Sequence, residues 1–347
     1  MNTEKDERAE PQPRRPWRCI QRLCSLAAWA YLAFVCGLLA MLFFAADRWW
    51  VGTVLMYGPR WIWATPLIVL IPAAAFLRRR PRNWLPIALS AVLVFFGVMR
   101  FCVPLQIGGA ARANRTLRVM TCNADYRALN TAAFAKLVRD VQPDVVFTQG
   151  WSSVHDSAFA GAEWHTRRDG ELFLASRLPL LSAAASTDAA FAGKNGALAR
   201  YRLRSSFGLD VEVFNFHAAT AREGLVEVIS GWWKGAPAID ANATERRNQS
   251  RVASAAGSPS VAPAIVAGDF NMPTDSTIYR QFWSNWTNAF SAAGWGLGYT
   301  HYTHRTQLRI DHILASPGWR VRQCYVGPNV GSAHCPVIAE IEWSDGG

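Results

Sequence analysis

The stretch Gly268-Asp269-Phe270-Asn271-Met272-Pro273 closes a short apolar run, 262–267, and opens into Thr274 and Asp275. A run of that length bounded by turn formers reads as a buried strand, and the residues after Pro273 read as a loop. Side chains two residues apart at a strand's end share a face, so Asp269 and Asn271 are expected side by side. The carboxylate offers a base or a metal ligand, and the amide offers a group that can bind phosphate. A polar pair at a strand tip is a typical place for chemistry, although Gly-Asp and Asn-x-Pro are also ordinary turn signals.

Around this stretch, the 347 residues suffice for one large domain or two modest ones. Apolar residues make up 51% of the chain and charged residues 18%, and most of the apolar excess lies before about residue 107. The net charge of +11 is concentrated beside the apolar runs, in Arg14, Arg15, Arg18 and Arg22 and in Arg78, Arg79, Arg80 and Arg82. That placement reads as membrane topology rather than nucleic-acid binding. Of seven cysteines, Cys122, Cys324 and Cys335 fall in the globular part, and no spacing matches a zinc site.

Three apolar runs, 23–45, 61–77 and 84–103, read as membrane-spanning helices. Trp61 and Trp63 would anchor the second at an interface, Pro66 and Pro72 interrupt it, and Arg100 would snorkel from the third. The first run is too long, and succeeded by too many others, for a cleaved signal peptide. A basic arm, 1–22, and the loop holding Arg78 to Arg82 would face the cytoplasm, with 47–60 outside. Three crossings of the inner (plasma) membrane then put everything after 107 outside the cytoplasm. No acidic residue interrupts the runs, which favours an anchor over a transporter. Residues 108–114 read as a small-residue linker to a domain at 115–347.

In that domain, 117–122, 145–148, 171–176, 209–216, 265–267, 309–315 and 337–343 read as strands, and 131–140 and 244–256 as helices. Their mixture gives an α/β or α+β class. Polar residues gather at strand ends: Asn123 with Asp125, His217, Asp269 with Asn271, Asp311 with His312, and His334. Asp, Asn and His suit oxygen-rich coordination of Mg²⁺ together with acid–base work.

The set and its order resemble the endonuclease/exonuclease/phosphatase superfamily, membrane-tethered bacterial members in particular. The stretches that carry the resemblance are VMTCNAD (119–125), QPDVVFTQG (142–150), LASRLPL (174–180), FNFHA (214–218), RRNQ (246–249), VAGDFNMP (266–273), RIDHILAS (309–316) and GSAHCPVIAEI (331–341). The resemblance implies a four-layer sandwich, two mixed β-sheets packed face to face and flanked by helices, that hydrolyses phosphoesters with Mg²⁺ or Mn²⁺. It implies that His334 contacts the scissile phosphate, Asp311 orients His334, Asp269 aligns and deprotonates water, and Asn271 holds a phosphate oxygen. His217 would be a further phosphate contact, and Asn123 and Asp125 would join Asp269 at the metal. The substrate would be a nucleic acid, a phospholipid or a small phosphodiester.

Two carboxylates of the family pattern are absent. Gly150 stands where the principal metal-binding glutamate is expected, and Ala333 where Ser-Asp-His would place an aspartate. Three readings are open: an active enzyme with Asp125 replacing the glutamate, an impaired domain that still binds phosphoesters, and an interaction domain without chemistry. His301 and His304 read as surface polarity, and His312 as structural. Trp232 and Trp233 read as packing under a loop, and Cys122 and Cys335 as inward-facing small hydrophobes.

Overall fold

The computed structural model describes residues 15–76, 84–104, 115–192, 196–257, 263–304 and 306–344. The chain divides into two compact units, Met1–Leu39 with Trp61–Met99, and Ala40–Arg60 with Arg100–Gly347.

The second unit carries the strands β1 (Thr116–Tyr126), β2 (Val145–Trp151), β3 (His165–Asp169), β4 (Leu172–Ser176), β5 (Leu180–Ala185), β6 (Ala197–Arg204), β7 (Asp210–His217), β8 (Ala264–Asp269), β9 (Thr287–Asn288), β10 (His301–Tyr302), β11 (Gln307–Leu308), β12 (Asp311–Ala315), β13 (Trp319–Val326) and β14 (Val337–Trp343). One six-stranded sheet runs β13-β14-β1-β2-β4-β3 and the other β5-β6-β7-β8-β12-β9, with β10-β11 a separate ribbon. The pairs β1–β2 and β7–β8 are parallel among otherwise antiparallel neighbours, so both sheets are mixed.

Alternation along each strand builds the layers. Val119, Phe147 and Leu174 turn inward against Val213, Ile265 and Ile313 of the facing sheet. Their chain neighbours Met120 and Val146 turn outward beneath Phe134, Leu137 and Val138, as a period of two requires. Those three residues form the apolar face of α5 (Thr131–Val141), whose first turn is capped by the Asn130 side chain accepting from Ala133 N at 3.0 Å. Beyond the second sheet, Phe214, Phe216 and Val266 pack under Ala243 and Ala253 of α7 (Ala236–Ala256) and Ile278 and Trp283 of α8 (Thr277–Trp283). Helix, sheet, sheet and helix make the four layers expected.

The apolar N-terminal part differs from expectation. Its helices are α1 (Arg15–Ala45), α2 (Trp50–Tyr57), α3 (Thr65–Phe76) and α4 (Trp84–Val92), the last continued by one π-helical turn, Leu93–Val98. One stretch, Cys19–Ala45 of α1, is long and apolar enough to cross a membrane. The second run forms the continuous stretch Arg60–Phe76, which is too short to pass as a span by itself and would do so only if counted together with α2 as a bent pair. Trp84–Val98 is apolar but short. A bundle of three spanning helices is therefore not what the described residues form, although Ala28, Ala74 and Ile87 of α1, α3 and α4 do pack together. Pro59 precedes the second run, whereas Pro66 and Pro72 sit within α3 without ending it, Pro66 in the first turn where no ladder donor is needed. The arm before residue 15, the Arg78–Arg82 loop and the 108–114 linker lie outside the described residues.

Gly268 is dictated by the sheet. Its φ is +148°, and a Cβ there would lie 1.9 Å from the carbonyl oxygen of Phe216 on β7. Gly268→Ala is expected to destabilise the domain by on the order of 3 kcal/mol or more, read by chemical unfolding of the full chain in detergent. A near-wild-type midpoint would show that the two backbones do not meet.

Candidate active site

Strand register assembles the site. On parallel β7 and β8, His217 pairs with Asp269, and on antiparallel β12 and β8, Asp311 pairs with Asp269. His217, Asp269 and Asp311 therefore stand in a row across three strands of one sheet. From β1 of the facing sheet, Asn123 Nδ2 donates to Asp269 Oδ2 at 2.9 Å. The other carboxylate oxygen accepts from the backbone N of Asn271 at 2.8 Å.

His334 arrives from the loop before β14. Its Nδ1 lies 2.9 and 3.1 Å from the two Asp311 oxygens, leaving Nε2 3.8 Å from Asp269 Oδ2. His217 repeats the arrangement: Nδ1 lies 2.8 Å from Glu171 Oε1, and Nε2 3.7 Å from the same Asp269 oxygen. Two imidazoles, each held from behind by a carboxylate, thus converge on one buried acid. Glu171 is itself fixed by the Tyr126 hydroxyl, which donates to Oε2 at 2.8 Å.

Burial opposes charge on His334, but Asp311 and Asp269 outweigh it and push its pKa up to about 9. His217 is likewise raised, burial being overcome by Glu171 and Asp269. Burial, then the neighbouring Asp311, raises the pKa of Asp269. Asp311 resists the same burial because His334 and Thr300 stabilise its charge, and its pKa is lowered.

Of the sequence candidates, Asp269, Asp311, His334, His217 and Asn123 come together. Asn271 holds Asp269 through its backbone, and its side-chain Nδ2 donates to Ala218 O at 2.8 Å. Asp125 is exposed on a bulge of β1, at φ +47°. Asn123 turns its side-chain oxygen to the backbone N of Asp125 at 2.9 Å and its amide nitrogen to Asp269. Of the expected metal set, Asp269 belongs to a group of acid and imidazole donors, Asp269, Asp311 and His334, with ligand atoms within 4.8 Å of one another; Asn123 adjoins that group through Asp269, and Asp125 is not one of its acids. That group fits a divalent cation. The gap of 3.8 Å between His334 Nε2 and Asp269 Oδ2 exceeds a hydrogen bond and leaves room for a shared ion, and a carboxylate behind a ligating imidazole is a recurrent metal-site device.

Other expectations change. His301, read as surface polarity, is half-buried with its ring 4.5 Å from that of His334. Burial and the His334 charge push its pKa down to about 4. Trp232 and Trp233 are 76% and 68% exposed, not packed under a loop. His312 is structural as expected, buried with Nε2 3.0 Å from Met272 O. Cys122 and Cys335 are buried and free. Glu171 went unassigned in the sequence because it lies in none of the strand-end clusters; its position at the mouth of β4 was the available signal.

A sandwich of two mixed sheets, with imidazoles and carboxylates gathered at the strand ends, defines the class of α/β protein to which this chain belongs. More narrowly, the chain belongs to the endonuclease/exonuclease/phosphatase family, whose profile matches residues 120–336. Solved structures of the same fold include a family protein from Bacteroides thetaiotaomicron, 17% identical with a TM-score of 0.53, covering 66% of this chain and 98% of that one. A mannosyl-6-phosphatase from the same organism is 17% identical with a TM-score of 0.50, covering 65% and 100%. The human Nocturnin catalytic domain with bound sulfate is 16% identical with a TM-score of 0.50, covering 66% and 95%. At these identities the likeness is one of fold. No curated protein matches the sequence.

The His334–Asp311 pair makes stability depend on pH. Because the folded pKa of about 9 lies above the unfolded value of 6.5, the stabilisation is fully present below about pH 6.5 and is lost as pH rises through 9. Thermal unfolding of metal-free wild type and Asp311→Asn from pH 6 to 10 should show a wild-type advantage on the order of 3 kcal/mol at pH 6 that shrinks toward pH 10. An advantage that is flat with pH would show that His334 is not held charged.

Proposed function

We propose that the chain is a membrane-anchored, divalent-metal-dependent phosphoester hydrolase acting on phosphodiesters. The observation that supports it is the approach of His217 Nε2 and His334 Nε2 to one oxygen of buried Asp269, at 3.7 and 3.8 Å, each ring held from behind by an acid.

A phosphate group at this cleft meets hydrogen-bond donors whose direction is already fixed. Glu171 sets the tautomer of His217, so that Nε2–H faces outward to a phosphate oxygen. Asn123 and the Asn271 backbone fix Asp269 through one hydrogen bond to each oxygen, leaving lone pairs to align an attacking water and accept its proton. Asp311 holds His334 toward the same space. Asp269 and His334 would hold the cation, which when bound neutralises phosphate charge and makes water more acidic. Charge balance calls for such an ion: Asp269, Asp311 and Glu171 outnumber the two imidazoles, so the site is net negative even with both rings protonated. Family enzymes typically use divalent metals, and the sulfate in Nocturnin is an anion of phosphate shape.

A second reading is a domain that binds phosphoesters without turning them over. Gly150 favours it: φ is +56°, and a Cβ there would stand 3.1 Å from Asn123 Oδ1, so no side chain replaces the missing ligand without strain. Hydrolysis of bis(p-nitrophenyl) phosphate with Mn²⁺ by the full chain separates the two. Asp269→Ala is expected to lower kcat/KM by ~10²–10⁴-fold. A wild-type rate equal to that of the variant would leave only binding.

The anchor is α1. The unit that contains the catalytic domain also contains Ala40–Arg60, the end of α1 and the chain that follows it. If the arm bearing Arg14, Arg15, Arg18 and Arg22 stays cytoplasmic, one crossing by α1 places the domain outside the cytoplasm of a cell bounded by the inner membrane. A C-terminal fluorescent reporter that matures only in the cytoplasm should stay dark, and bright cells would reverse the orientation.

A further inference from the structure

We propose that Tyr57 is a positioning residue of the phosphoester site, and that the segment 46–60 is a clamp, supplied by the membrane half of the chain, that sets the Asp269–Asn271 corner. The inference rests on the hydrolase reading and adds to it a group far from the catalytic motifs in sequence.

The Tyr57 hydroxyl donates to the Asn271 carbonyl at 2.7 Å. The N–H of Asn271 donates to Asp269 Oδ1 at 2.8 Å. One residue therefore receives the tyrosine on its carbonyl side and holds the catalytic carboxylate on its amide side. Asn271 needs that support, because it sits at φ +49°, where a residue with a Cβ is strained. Burial pushes the Tyr57 phenol far above its usual range, so it remains a donor.

The rest of the segment grips the same loop. Asp47 Oδ2 accepts from the Ser276 hydroxyl at 2.5 Å and from Thr277 N at 3.1 Å, at the start of α8. The Thr277 hydroxyl donates to Ala46 O at 2.7 Å. Arg60 forms a buried two-pronged pair with Asp275, both contacts at 3.0 Å. Fully buried Arg246 links the two ends of the segment, reaching Asp47 at 3.5 Å and lying over the Tyr57 ring at 5.8 Å. The loop after β8 is thus held at residues 271, 275, 276 and 277 by a stretch more than 200 positions earlier in the chain.

The test is Tyr57→Phe in the full chain in detergent, with Mn²⁺ and bis(p-nitrophenyl) phosphate. The ring stays and only the hydroxyl is lost. A positioning role predicts kcat lower by about tenfold, with KM and thermal midpoint close to wild type. Unchanged kcat, with or without a lower midpoint, overturns it. If the wild type itself hydrolyses nothing, the hydrolase reading falls by that result alone, and the clamp is then read by Mn²⁺ binding in electron paramagnetic resonance. About tenfold weaker binding by Tyr57→Phe supports the clamp, and equal binding overturns it.

Discussion

Burying Asp269 beside Asp311 is the constraint on which the rest of the site depends. The β8–β12 register makes them lateral neighbours, and both are almost wholly shielded from water. Two unit charges about 4 Å apart repel by about 4 kcal/mol at an effective dielectric of 20, and desolvation adds to that. The fold answers with positive and polar partners placed around the pair. His334 pairs with Asp311 and faces Asp269, His217 flanks Asp269 from β7, and Asn123 reaches across from the other sheet. None of these groups can be moved without leaving a buried charge uncompensated, so the geometry of catalysis is also a condition of folding.

The parts of this arrangement that were legible in the sequence are those carried by strand periodicity. An apolar run ending in Gly-Asp-x-Asn, another ending in His217 and a third opening on Asp311 each announce a polar strand tip, and the sheet order brings the tips together. What was not legible depends on approach between distant segments. Glu171 comes after a tight turn at Gly170 and looks like an ordinary hairpin acid until β4 sets it beneath His217. His301 looks exposed because His-Tyr-Thr-His is polar, yet a bridge to His334 brings the two rings together, tilted by 49°. Trp232 and Trp233 fail in the opposite direction, since two large aromatics promise burial and the short turn after α6 (Arg222–Gly231) leaves them outside.

The apolar N-terminal part shows why hydropathy alone misreads a chain. Residues 47–60 lie between two apolar runs and look like a connecting loop. They instead form α2 and join the catalytic domain through Asp47, Tyr57 and Arg60. Charge at the ends of an apolar run is usually assigned to topology, but here Asp47 and Arg60 are engaged by tertiary partners.

Gly150 and Ala333 alter the electrostatics of the site in two opposing ways. Each removes a carboxylate that would have helped to hold a cation, so an ion bound there would rest on fewer protein donors and more water. Each also removes a negative charge from a cleft that must admit a phosphoester. With both acids present the cleft would repel its substrate strongly until metal was bound. Without them three carboxylates face two imidazoles, and one loosely held divalent ion, taking the place of the His334 proton, would bring the balance to about zero. Weaker metal binding and easier access for an anion are thus two consequences of the same substitutions. The rigid holding of Asp269 by Asn123, Asn271 and, through Asn271, Tyr57 becomes correspondingly more important, because a site with fewer ligands has less redundancy with which to absorb a misplaced one.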